Sequence, residues 1–386
     1  MWSKFGVSSR GGTHISRDLP CQDASACREG AGYWIAAAAD GHGSRKHFRS
    51  QTGSELACVA ACDCLERFAQ GVATGNLPTE TEVQLLKQNI LLQWRQSVEA
   101  DAANRAWTSE ELLEQKALLD EAEYAALTDD RGQWIPYGTT LAALLVTQEF
   151  YLAVQIGDGE VLTISRAGEF AWPMPESKVN QGRFTASMCM ADPMPEFRHC
   201  MSRELPAALL AYTDGVEKAF PSRSKALVEF LYAVYGVARC GDEEEVRSAL
   251  NAVAQLGPVK DDATLAGLID TSVNAPAPQV DEMQRTEELN RVRARMNDCS
   301  SALAYNRACL QRMSILTPED ALTAEQMEQI VQRCSQQLEV LRAEEQRLMG
   351  VEVQLSDAIF DEEGPDITWA APPVEADGET NDTDDI

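Results

Sequence analysis

Up to about residue 272, apolar positions follow two rhythms. The runs "GYWIAAAA", "TTLAALLVT", "EFYLAVQI", "EVLTIS", "ALLAYT" and "ATLAGLI" are continuous, of strand length, and several are bounded by Gly or Asp. Between them, "GSELACVAACDCLERFAQGV", "TEVQLLKQNILLQWRQSVEADA", "SRSKALVEFLYAVYGVA" and "DEEEVRSALNAVAQL" space their apolar residues as helices do. Strands in "VTQEFYLAVQIGDGEVLTIS" are joined by links far shorter than the dozen or so residues a parallel crossover takes, so antiparallel neighbours are expected. The pattern predicts an α+β core of antiparallel sheet with helices packed outside it.

After residue 272 the rhythm changes. "DTSVNAPAPQVDE" carries two prolines and small residues, so 273–282 reads as a linker. Leu289, Val292, Met296, Cys299, Leu303, Asn306, Leu310 and Met313 then recur in alternating steps of three and four, a heptad seam with one polar member. "LTPEDALTAEQ" supplies a stop and a restart. Met327, Val331, Cys334, Leu338, Leu341 and Leu348 continue the seam, with Glu345 interrupting it. Residues 283–350 therefore predict a helical hairpin of coiled-coil character. It serves either as a docking or self-association arm or as a hairpin folded back on its own domain. Residues 351–386 are acidic, broken by Gly364, Pro365, Pro372 and Pro373, and too poor in apolar residues to bury a core; they read as disordered.

Composition narrows the function classes. The chain has 386 residues, 44% of them hydrophobic, enough for a full core beside an appendage. Its formal net charge of −28 disfavours nucleic acid and anionic membrane surfaces as partners. The eleven cysteines come without an apolar leader or a membrane-length run, so a reduced, cytoplasmic chain is expected. Cys58, Cys62 and Cys64 lie in a helical pattern, where buried small side chains explain them better than zinc does.

Candidate chemistry lies at the ends of the β-like runs. Asp40-Gly41, Asp158-Gly159 and Asp214-Gly215 each close one run, while Asp261 and Asp262 open another. Any single Asp-Gly is a favoured turn. Carboxylates delivered to four strand ends from distant parts of the chain are costly together unless a cation joins them. An oxygen-rich set with little His or Cys suits Mg²⁺ or Mn²⁺, and a glycine after the aspartate lets its carbonyl approach such an ion. That combination predicts a binuclear carboxylate site that activates water for phosphoryl hydrolysis.

The ordered motifs "CQDA", "ADGHGS", "YGTTLAALL", "IGDGEVL", "YTDGVEKAF" and "KDDATLAGLI" resemble the type 2C (PPM-type) metal-dependent serine/threonine phosphatases, and the bacterial branch in particular, over residues 5–272. The resemblance implies a four-layer α-β-β-α sandwich of two antiparallel sheets within a domain spanning 1–272. It implies two Mn²⁺ or Mg²⁺ ions bridged by a hydroxide that attacks phosphorus, and a third, weaker ion. Asp40 would bridge both metals, Gly41 would ligate through its carbonyl, Asp214 and Asp261 would complete the first metal's set, and Asp158 would hold the third ion. His42 would protonate the leaving oxygen, and Asp23 would orient metal-bound water beside Gln22, which stands where many members carry an acid. Arg17, with Arg10 as the alternative, would grip the phosphate, and His14 is expected to be a structural hydrogen-bonding residue. "YGTTLAALL" is expected to be structural, with its threonine hydroxyls bonding close to the site. The expected substrate is a phosphoprotein and the expected partner a cognate Ser/Thr kinase. The rival reading is a catalytically silent scaffold acting through the hairpin; a small phosphorylated molecule is a further substrate possibility.

Overall fold

The computed structural model describes residues 1–72, 76–121, 124–125, 133–177, 185–221, 223–278, 292–293, 295–308 and 324–349, the side chains of 324–327 and 347–348 excepted. In chain order its strands are β1 (Trp2–Ser9), β2 (Ala24–Gly30), β3 (Tyr33–Ala39), β4 (Leu141–Thr147), β5 (Tyr151–Ile156), β6 (Glu160–Ile164), β7 (Phe170–Ala171), β8 (Arg198–Ser202), β9 (Ala208–Tyr212) and β10 (Ala263–Asp270). The helices are α1 (Gly12–Ser16), α2 (Ser50–Gly71), α3 (Glu80–Asn104), α4 (Ser109–Leu118), α5 (Asp214–Glu217), α6 (Lys225–Arg239), α7 (Glu243–Leu256) and α8 (Ala324–Leu348). The chain divides into two compact units, Met1–Gln279 and Val280–Ile386.

The first unit holds two five-stranded sheets, ordered β1-β10-β9-β6-β7 and β2-β3-β4-β5-β8. Every neighbouring pair is antiparallel. The continuous apolar runs follow from burial on both faces. Ala36, Ala38, Ala142, Leu144 and Ala153 face Leu209, Ala211, Ala266 and Leu268 across the gap between the sheets. The alternate residues Ile35, Ala37, Ala143, Leu145 and Leu152 pack instead with Ala57, Ala61, Leu65, Ile90 and Trp94 of α2 and α3. Helix α7 covers β1 and β10 on the other sheet, and α6 lies against β10. The layers are therefore helix, sheet, sheet, helix, as expected.

Local signals set the helix starts. Thr79 accepts from the Glu82 amide at 3.3 Å while the Glu82 carboxylate accepts from the Thr79 amide at 2.7 Å, a reciprocal cap that opens α3. Asp242 caps α7 by accepting from the Glu245 amide at 3.0 Å.

One expected linkage differs. β4 and β5 pair as a hairpin, but the link Gly157–Gly159 joins β5 and β6 across sheets, and those two strands do not pair. Gly157, at φ +105°, takes a backbone conformation that favours glycine and turns the chain out of one sheet into the other.

In the second unit, residues 295–308 and α8 are helical. Val292, Cys299 and Leu303 pack with Cys334, Leu338 and Leu341. Glu345, the interruption in the seam, pairs with Arg293 at 2.7 Å. Leu289, Leu310, Met313, the expected turn within 309–323 and the acidic stretch 351–386 lie outside the described residues, as does the end of the linker. Among the described residues no helix is long and apolar enough to cross a membrane.

Leu144, fully buried between the sheets, tests the layering. Leu144→Ala should lower unfolding free energy by about 2–5 kcal/mol. Leu113→Ala, at a side chain 71% exposed, should change it by less than about 0.5 kcal/mol. Urea denaturation followed by tryptophan fluorescence reads both.

Candidate metal centre

The cleft forms where strand ends from both sheets meet. Asp40 follows β3 directly, and its peptide is fastened to the start of β4. The Asp40 amide donates to the Thr140 hydroxyl at 3.0 Å, while its carbonyl accepts from the Thr140 amide and the Thr139 hydroxyl, each at 2.8 Å. The threonines of "YGTTLAALL" thus lock the carboxylate-bearing turn. Gly41 is required there, because a β-carbon would press within 2.7 Å of the Ser50 carbonyl oxygen. Asp214 opens the short helix α5 directly after β9. At Gly215 a β-carbon would run into the Asp262 carbonyl, so the dipeptide also sets how closely β9 and β10 approach.

Asp40, Asp158 and Asp214 each offer an oxygen within 4.8 Å of the others. Among the described residues no other three metal-competent side chains converge in this way, and the cysteines of α2 form no such group. The cleft, of about 200 Å³, is also lined by His14, Gln22, Gly41, His42, Lys218 and Asp261. Asp158 sits in the sheet-crossing link. Its Oδ2 accepts from Thr185 at 2.8 Å, and its Oδ1 is buried without a hydrogen-bond partner. An orphaned carboxylate oxygen beside two further carboxylates fits a hard, oxygen-seeking divalent cation.

The electrostatics agree. Burial, followed by the charges of Asp23, Asp214, Asp158 and Asp261, pushes the Asp40 carboxyl well above the usual range. Burial and Asp158 raise Asp214, against the pull of Lys218. Asp23 is pushed up to about 8 by burial, opposed by the Thr213 hydroxyl that donates to it at 2.7 Å. Carboxylates held this way favour either protons or a metal cation.

The neighbours Asp261 and Asp262 separate in role. Asp262 is buried and accepts from the Gly11 amide at 2.7 Å and the Gln22 amide at 2.6 Å, with His14 Nδ1 at 2.8 Å. It ties the N-terminal segment to β10, and His14 takes its expected hydrogen-bonding place in that tie. Asp261 is more exposed and lines the cleft outside the tight group of three. Its Oδ2 lies 3.4 Å from the Lys218 ammonium, which also reaches Asp214 Oδ2 at 2.6 Å.

The two candidate arginines stand apart from the cleft lining. Arg17 ends α1 exposed to solvent and does not line the cleft. Arg10 donates to the His14 carbonyl at 3.2 Å and pairs with Asp18 at 3.7 Å, also away from the lining. The short helix turns Arg17 outward, and among the described residues the basic side chain lining the cleft is Lys218, with His14 and His42 beside it. Sequence reasoning missed Lys218, although its place four residues after Asp214 puts the two on one helical face. It missed Thr185 as well, for which no local signal exists.

His42 lines the cleft through its position after Gly41, with its amide donating to the Gly138 carbonyl at 3.0 Å. Burial, helped by Lys46, pushes its imidazole down to about 4. His47 lies beside it, ring centroids 4.9 Å apart, and its Nδ1–H donates to the Ile135 carbonyl. Burial first, then His42, pushes His47 down to about 3.

The sequence pattern of the protein phosphatase 2C family matches residues 10–255. The chain belongs to that family. The matched stretch contains Asp40, Asp158 and Asp214 and ends before Asp261. Among solved structures, the catalytic domain of the serine/threonine phosphatase PstP, in complex with two manganese ions, is similar at 15% identity and TM-score 0.42, over 69% of this chain and 97% of that one. A bacterial serine phosphatase is similar at 14% identity and TM-score 0.45, over 72% and 100%. PppA of Pseudomonas aeruginosa, described as a regulatory component of a type VI secretion system, is similar at 18% identity and TM-score 0.43, over 69% and 97%. No curated protein sequence matches the chain.

Two outcomes follow for the site's frame. Asp262→Asn, which weakens a buried acceptor of three donors, should cost about 2–3 kcal/mol in urea unfolding, whereas Asp261→Asn should stay within about 0.5 kcal/mol. For His47, the folded pKa near 3 lies below the usual 6.5. The unfolded chain therefore binds more protons in between, so the imidazole's contribution is full above about pH 6.5 and is lost as pH falls toward 3. Thermal melts should show a smaller stability loss from about pH 7 to 5 in His47→Gln than in the parent chain; equal losses would contradict this.

Proposed function

We propose that this protein hydrolyses phosphoserine and phosphothreonine in proteins, in a reaction that depends on Mn²⁺ or Mg²⁺. The observation that carries the reading is the convergence of Asp40, Asp158 and Asp214 within 4.8 Å, with one buried Asp158 oxygen lacking a partner. Asp40, the Gly41 carbonyl, Asp214 and Asp261 would hold two ions, and Asp158 a third. Divalent ions bound there would lower the pKa of water and offset charge on the phosphoryl oxygens.

The chain's own residues position the rest. Thr139 and Thr140 fix the Asp40 turn, and Asp23, held by the Thr213 hydroxyl, stands behind the carboxylates as an acceptor for ordered water. His42 is neutral near pH 7 in the resting cleft. A phosphate dianion drawn beside it would raise its proton affinity and let it supply the leaving oxygen's proton. A phosphoprotein fits the net charge of the chain, because positive charge in the cleft would be local and metal-borne. Each position that would carry a metal ligand, Asp40, Gly41, Asp214 and Asp261, offers an oxygen at the cleft, which favours an enzyme over a silent scaffold.

Hydrolysis of p-nitrophenyl phosphate and of a phosphothreonine peptide, with Mn²⁺, with Mg²⁺ and with chelator, tests the reading. Activity should vanish with chelator, and Asp40→Asn or Asp214→Asn should lower kcat/KM by about 100-fold or more, equivalent to about 2.7 kcal/mol of lost transition-state stabilisation. Turnover that survives chelation and both substitutions would sink the mechanism. Turnover confined to the small ester would point away from a protein substrate.

A further inference from the structure

The proposed chemistry leaves the placement of Lys218 in the cleft unexplained. It follows α5 as that helix's C-terminal cap, four residues beyond Asp214. Its Nζ lies 2.6 Å from Asp214 Oδ2 and 3.4 Å from Asp261 Oδ2. It therefore bridges one member of the tight aspartate group and the more exposed aspartate of the cleft wall. Its side chain is 46% exposed, so the stem can swing out without opening the core.

We propose that Lys218 is a tethered cation that competes with a divalent ion for Asp214 and Asp261. The inference rests on the metal-dependent reading above. In that reading one ion can bind at Asp40 and the Gly41 carbonyl with the ammonium still in place. Binding of a second ion on Asp214 and Asp261 requires the ammonium to withdraw. A divalent ion binds carboxylate oxygens at about 2.1 Å with two charges, against one charge and longer contacts for the ammonium. Both cations cannot share the same oxygens, because charges a few ångströms apart repel by kcal/mol even at intermediate effective dielectric. The lysine thus separates the ions into a first that binds tightly and a second that binds against a resident competitor. With the second ion bound, the released ammonium would stay at the cleft rim on its tether, within reach of an incoming phosphate.

Mn²⁺ binding to the full chain, counted by calorimetry and by the electron paramagnetic resonance signal of free Mn²⁺, tests this in the parent chain, Lys218→Met, Lys218→Gln and Asp40→Asn. The second ion should bind about tenfold or more tightly in both Lys218 variants, the lower end of what one adjacent opposite charge does to a carboxylate's proton affinity. The first ion should change less. Melting adds a second readout: in chelator the Lys218 variants should melt below the parent chain, and saturating Mn²⁺ should close the gap, whereas a merely structural role would leave it. A second-ion affinity that is unchanged in both variants would overturn the inference and leave the metal centre standing. No Mn²⁺ bound by any chain, or undiminished binding in Asp40→Asn, would overturn the metal centre and the inference with it.

Discussion

Repulsion among carboxylates withdrawn from water is the constraint on which the first unit's architecture turns. Two sheets and several intervening helices deliver Asp23, Asp40, Asp158, Asp214, Asp261 and Asp262 to one region, and each is handled differently. Asp262 is neutralised by two amides and a histidine. Asp23 is buried against a threonine hydroxyl. Asp214 and Asp261 share an ammonium. Asp40, and the orphaned oxygen of Asp158, have the least compensation of the set. A hard cation placed among Asp40, Asp158 and Asp214 would therefore relieve their repulsion and give the orphaned Asp158 oxygen a partner, without any appeal to reaction chemistry.

The fold was legible in the sequence to the extent that burial writes itself into side chains. Each of the six predicted strand runs became a strand, because all six lie inside a sheet and are apolar on both faces. The strands that were not anticipated, β1, β2, β7 and β8, are the four sheet edges. Their partly exposed sequences, such as "ASACREG" and "RHCMS", carry polar residues that blur any apolar pattern. The sheet crossing at Gly157–Gly159 was hidden for a different reason: a three-residue link reads alike whether it turns within a sheet or leaves it.

At the candidate site, the aspartates could be read because four apolar runs far apart in sequence each carry one at an end, whereas any one alone reads as a turn. The place of Arg17 was not legible, because a short helix rotates a residue by about 100° for each position along it, so the spacing of a motif does not fix the direction of a side chain. The division between Asp261 and Asp262 was invisible in "KDDATL", because it depends on donors from Gly11, His14 and Gln22, some 240 residues away or more. Lys218 carried a legible helical relationship to Asp214, but a lysine beside an aspartate ordinarily signals nothing more than a solvated ion pair.

The sheet-crossing link has a mechanical consequence. Asp40 hangs from β3 in one sheet, Asp214 follows β9 in the other, and Asp158 sits on the strap between them. An ion held by these three would rivet the two layers at one end, much as a cross-link would. Sliding or splaying of the sandwich would then be opposed by coordination as well as by the small-residue seam between the sheets. The strength of that rivet would track the concentration of free ion around the protein, so rigidity at this end of the sandwich becomes a quantity the surroundings can set.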